Sequence, residues 1–252
     1  MITETFELDH SPDIDVRIES GRVEVSEGPP GSVEVTVDTE DPGFIVERRG
    51  NTILVSSNKS QSWLSRGSSY VNILTPPGSD LAVAVASARV ECTVPLGKVE
   101  AKTASGDVDL DRVTIATVKT ASGDVTIEGV DQAIRFTSAS GDLFIHESCR
   151  GSAGISTASG DVRIGLCEAD LAVNTVSGDV LVSRFSGRSG SFKAMSGDVD
   201  LAIPTGSSVD LDVNLLSGRL DLPKAEPDRA PPERHIAIKA KLVSGDFTIH
   251  RV

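Results

Sequence analysis

Aromatic side chains are scarce in this sequence: one Trp, one Tyr and seven Phe among 252 residues. A core so poor in rings must be filled by smaller, β-branched groups. Cysteine is scarce too. Three residues without a Cys-x-x-Cys pair imply neither a disulfide framework nor a zinc ribbon. Basic charge is the third shortage, since 24 Lys and Arg against 37 Asp and Glu leave a net −13. Phosphate backbones require a basic stripe, so nucleic acid is excluded as the main partner. No run approaches the roughly eighteen apolar residues of a membrane span, and no membrane association is expected. Residues 1–7 (Met-Ile-Thr-Glu-Thr-Phe-Glu) show no basic start and no apolar run. The sequence therefore predicts no secretory signal and a cytoplasmic location. Gly-x-Ser-x-Gly, His-Glu-x-x-His and phosphate-loop motifs are all missing. His10, His146, His235 and His250 are scattered. Neither an enzyme nor a cofactor is expected.

What is abundant is a repeat. Ser-Gly-Asp begins at Ser105, Ser122, Ser140, Ser159, Ser177, Ser196 and Ser244, with Ser217-Gly218-Arg219 as a variant. Successive gaps, with the variant included, are 17, 18, 19, 18, 19, 21 and 27 residues. Ala86-Ser87-Ala88-Arg89-Val90 reads as a worn copy, and Ser20-Gly21-Arg22-Val23 as a more irregular one. Three and five residues after each Ser stand apolar pairs such as Val108/Leu110, Val162/Ile164 and Phe247/Ile249. Two residues before stand Thr103, Thr120, Ser138, Thr157 and Thr175. Such alternation marks strands with one buried face. The inward positions on either side of the box are an odd number of residues apart, so the chain must turn a corner there. Gly is expected to supply a positive φ, while Ser and Asp bond neighbouring amides.

Each repeat is thus two short strands and a corner, which fits one coil of a parallel β-solenoid or one hairpin of a meander. Recurrence of identical residues at one corner favours like-on-like stacking, so the expectation is an all-β parallel β-helix with coils of about 18 residues. Residues 1–80 lose the period and are expected to form an N-terminal β cap continuous with it. Residues 81–252 form the repeat solenoid, interrupted by a Pro-rich loop at 223–235.

The Thr-Ala-Ser-Gly-Asp-Val boxes at 103–108, 120–125 and 157–162, with the segment Leu74-Thr75-Pro76-Pro77-Gly78-Ser79-Asp80-Leu81, resemble a bacterial β-strand-repeat family. It is a family of unknown function, often labelled "putative adhesin". The resemblance covers residues 1–252 loosely and 74–220 closely. It implies a right-handed β-helix without assigned catalytic residues, and offers a surface adhesin as an alternative function.

Several residues are candidates for binding. Stacked coils would align Asp107, Asp124, Asp142, Asp161, Asp179 and Asp198 along one ridge, which could attract cations. One carboxylate per corner is few for the roughly six to eight oxygens of Ca²⁺, so capping of corner amides is the expected role. A polysaccharide-cutting β-helix would need long loops to build a cleft, and only one gap is long. Segment 56–70 holds Trp63 and Tyr70, aromatics that could meet a protein or glycan partner, or in the case of Trp63 plug the solenoid. Cys149 and Cys167 should stack on adjacent coils as reduced core residues. The last copy ends within six residues of Phe247, leaving nothing to cap it. End-to-end homo-oligomerisation through residues 244–252, with Phe247 and Ile249 at the contact, is the resulting expectation. The function expected overall is a non-catalytic scaffold that binds a macromolecule or itself.

Overall fold

The computed structural model describes residues 1–8, 10–57, 67–223 and 234–252. Those residues are all-β, with no helix among them. Two compact units divide the chain, Met1–Ile127 and Glu128–Val252.

The first unit contains β1 (Ile2–Glu7), β2 (Asp13–Ile18), β3 (Gly21–Glu27), β4 (Ser32–Asp38), β5 (Ile45–Arg49) and β6 (Thr52–Ser56). It continues with β7 (Ser69–Thr75), β8 (Asp80–Val85), β9 (Arg89–Cys92), β10 (Leu96–Lys102) and β11 (Val108–Thr120). Most pairings are parallel. Strand β2 lies between β6 and β8, and β3 lies between β7 and β9. The pair β2–β3 thus forms a rung out of chain order. It carries the irregular copy at Ser20, with Gly21 in register with Ser69. The worn copy is a rung as well, because Val90 pairs Val108. Antiparallel strands flank this stack: β4 on β7, β1 on β4, and β5 on β6.

Strand β12 (Val125–Ser138) spans the division. The second unit adds β13 (Leu143–Cys149), β14 (Ser152–Thr157), β15 (Val162–Cys167), β16 (Asp170–Ser177), β17 (Val180–Phe185) and β18 (Ser189–Ser196). It ends with β19 (Val199–Ile203), β20 (Ser207–Ser217), β21 (Leu220–Asp221), β22 (Arg234–Ser244) and β23 (Phe247–Arg251). Here the pattern is solenoid-like. Strand β14 pairs β16, which pairs β18, while β13, β15, β17 and β19 form a second parallel ladder. Thr157 stands opposite Thr175 and Ser177 opposite Ser196, so one repeat is one rung.

The last two rungs are exchanged. Strand β18 pairs β22, and β22 in turn pairs β20; β19 pairs β23, which pairs β21. After β19 the chain builds the outermost rung first and then returns to fill the gap behind it. The gaps of 21 and 27 residues before the final two boxes reflect that detour.

Alternation decides the core. Val108, Val125, Leu143, Val162, Val180, Val199 and Phe247 are all buried, as are the Thr and Ser residues two positions before most boxes. Phe192 of β18 and Phe247 of β23 meet edge to face at 6.2 Å between ring centres. This places the C-terminal strand in the core between two neighbours. The expectation of an open end at 244–252 is therefore corrected: Phe247 and Ile249 are core residues, and the edge lies at β20 and β21.

Candidate functional site

The corner aspartates form ladders whose geometry follows from the repeat. In the second unit, the Asp142 carboxylate accepts the Asp161 amide at 2.8 Å and Asp161 accepts that of Asp179 at 3.0 Å. Asp179 accepts Asp198, and Asp198 accepts Asp246, each at 2.8 Å. In the first unit, Asp107 accepts the Asp124 amide at 3.1 Å. Each carboxylate thus caps the N–H of the next rung, a charge-assisted bond that offsets like-charge repulsion along the row. Among the described residues no group of three or more His, Cys, Asp or Glu is placed to hold a metal ion.

The Arg219 variant now has a reason. Its amide donates to Asp246 at 2.8 Å, and its rung is outermost. No described rung follows it, so no amide waits for a carboxylate at position 219.

The boxes have two further parts. Thr103, Thr120, Ser138 and Thr157 each accept the amide of the box Gly at 2.7–2.9 Å. The Gly is required mainly by close approach: a Cβ on Gly178 would lie 2.1 Å from the Gly160 carbonyl oxygen. Gly106, Gly123, Gly160 and Gly178 do not have the expected positive φ, which appears in Gly21 of the irregular copy at 121° and in the later boxes, as in Gly197 at 139°.

Of the aromatic candidates, Trp63 lies outside the described residues, as does 224–233 of the Pro-rich segment; Arg234 and His235 already belong to β22. Tyr70 is on β7, half-exposed, and its hydroxyl donates to the Glu24 carboxylate. Arg22 completes that cluster, pairing Glu24 at 2.8 Å and Glu91 at 2.6 Å. Cys149 and Cys167 stand in register on β13 and β15, both buried and unbridged. The hydrogen bond to Cys167, together with burial, holds the Cys149 thiol above its ordinary pKa.

A surface that sequence reading missed runs along the last rungs. The residue before each box Ser is Ala at 104, 121, 139 and 158, but Val176, Met195, Val243 and Leu216 further on. All four are exposed, Met195 at 59% and Leu216 at 82%. They stand on β16, β18, β22 and β20, neighbours in the ladder. Lys193 and Lys241 flank them in register, and Lys239 stands beside Lys241 on the same face. None of these lysines pairs with an acid among the described residues. Val176, Met195, Lys193 and Lys241 line a shallow groove of about 320 Å³. The signal was the change from Ala to larger apolar residues at one repeat position.

The sequence matches the Toastrack DUF4097 family over residues 11–250, and the chain belongs to that family, whose function is unknown. No curated relative matches it. Solved structures with a similar fold include a "putative adhesin" from Parabacteroides distasonis at 11% identity and TM-score 0.49, covering 99% of this chain and 96% of that one. Another "putative adhesin", from Parabacteroides merdae, has 12% identity and TM-score 0.44, covering 99% and 95%. A "putative lipid binding protein" from P. distasonis has 13% identity and TM-score 0.45, covering 100% and 96%.

Proposed function

We propose that this protein is a non-catalytic interaction scaffold: a right-handed parallel β-helix of about 18-residue coils that binds a macromolecular partner through its last rungs. The observation that carries the reading is the exposed row Val176–Met195–Val243–Leu216. Exposed apolar groups that occur singly are ordinary, whereas a contiguous row on neighbouring strands marks a contact surface. The lysines beside it add a polar rim of the kind interfaces carry. The corner carboxylates are already engaged by backbone amides, which supports a structural role for the one dense acidic row.

Photo-crosslinking side chains placed at Met195 and Val243 in native cells test this. A discrete adduct from both positions, and none from the exposed Glu168, is the expected result. Absence of any adduct from Met195 and Val243 overturns the reading. Adducts formed only with components outside intact cells would move the function to the adhesin-like alternative.

A further inference from the structure

The outer rung is unfinished on one side. β22 occupies one edge of β20 from Ser207 to Ser217, and β23 occupies one edge of β21. Among the described residues, no strand pairs the opposite edge of either. The core-facing side chains show the consequence. Ile236, Ile238, Ala240 and Leu242 of β22 are buried, whereas Val209, Leu211, Val213 and Leu215 of β20 are only half-buried. Leu220 and Leu222 are exposed at 47% and 40%. Among the described residues, the layer of apolar side chains stops one strand short of closure, and none of them covers the N–H and C=O groups along that edge, where another strand can pair.

We propose that this edge accepts an extended polypeptide strand that alternates apolar and basic side chains. The chain itself contains the complement. β22 reads Arg-His-Ile-Ala-Ile-Lys-Ala-Lys-Leu-Val-Ser, and in its register with β20 it sets Lys239 opposite Asp212 and Lys241 opposite Asn214. Its Ile238, Ala240 and Leu242 stand beside Leu211, Val213 and Leu215. A strand of the same pattern on that edge repeats this alignment, covers the half-buried row, and sets cations near Asp210, Asp212 and Asp221. Strand addition of this kind takes affinity from the main chain and specificity from alternate side chains.

A second copy fits less well. Antiparallel pairing of two β20 edges about Leu211 sets each Asp210 against the other copy's Asp212, and pairing about Asp212 sets that residue against itself. Like charges directly opposite are destabilising, and each copy carries a net −13.

The inference rests on reading the protein as an interaction scaffold, and its test uses a different surface and probe from the crosslinks at Met195 and Val243. A labelled synthetic peptide of residues 234–244 is titrated into the full chain and followed by fluorescence anisotropy. Expected are saturable binding, loss of binding in the peptide carrying Lys239→Glu and Lys241→Glu, and about tenfold weaker binding to the Asp210→Lys/Asp212→Lys protein. Hydrogen exchange on the wild-type chain provides a readout independent of any variant: the peptide should slow amides of 207–221 and leave 234–251 protected. Equal binding of the acidic peptide, or no slowing at 207–221, overturns the proposal. Faster exchange at 234–251 does so too, because the peptide is then replacing β22. A dimer abolished by Asp210→Lys/Asp212→Lys, without peptide binding, assigns the edge to a second copy instead. Crosslinks at Met195 and Val243 with a failed peptide titration would sink the strand-acceptor site alone.

Discussion

At the residue scale, the box Ser-Gly-Asp works because its Gly and its Asp each solve a separate problem of the corner. The Gly lets one rung's backbone approach the carbonyl of the rung before it, and the Asp caps the next amide. Gly178→Ala forces a Cβ to 2.1 Å from the Gly160 oxygen. It should cost about 3 kcal/mol, the upper end of overpacking. Gly206 has φ +77° and no atom within 4 Å of its missing Cβ. Gly206→Ala should cost only about 1 kcal/mol, for the left-handed backbone. Urea denaturation of the two variants compares them directly, and equal losses would mean the carbonyl contact is not what selects Gly. For the Asp, Asp179→Ala should lose about 1 kcal/mol by leaving the Asp198 amide without its 2.8 Å acceptor. Asp179→Asn keeps an acceptor oxygen and should stay within a few tenths of wild type in the same measurement.

At the element scale, what matters is which strands are edges. β23 is chain-terminal yet interior to its ladder, while β20 and β21 are internal in sequence and exposed. Phe247→Ala should therefore destabilise the protein by about 3–5 kcal/mol, since it removes a fully buried ring packed on Phe192. Leu216→Ala, on the outer rung, should change stability by no more than about 0.5 kcal/mol. In thermal melting, a Phe247→Ala loss under about 1 kcal/mol would instead mean that β23 is an outer strand with its ring only partly covered. Asp210 and Asp212 on the outer strand are also where charged gatekeepers belong, because they discourage pairing with a like edge.

At the scale of the whole molecule, a net charge of −13 and rows of carboxylates would ordinarily point to a cation requirement. The ladders argue otherwise, since one oxygen of each of these carboxylates already accepts the amide of the next rung. Adding millimolar calcium, or removing it with a chelator, should leave the melting temperature unchanged in differential scanning fluorimetry. A rise of several degrees on adding calcium would show that ions bind the rows after all. No described helix is long and apolar enough to cross a membrane.

By itself the sequence determined the all-β class, the inward face of nearly every strand and the capping role of the aspartates. These are local matters: a period of two within strands, a period near eighteen between boxes, and residue types whose backbone chemistry is strong. Only the tertiary structure decided the order of the rungs. Every box carries nearly the same signal, so stacking one copy on the next in sequence or on the one after satisfies the same alternation. The choice fell to features spread across distant residues: Phe247 meeting Phe192, Asp246 serving the Arg219 amide, and the half-covered apolar row of β20 on the outer rung. The same limit applies to the candidate site. The larger apolar residues before the later boxes are visible in the sequence, but their contiguity required knowing that β22 lies between β18 and β20.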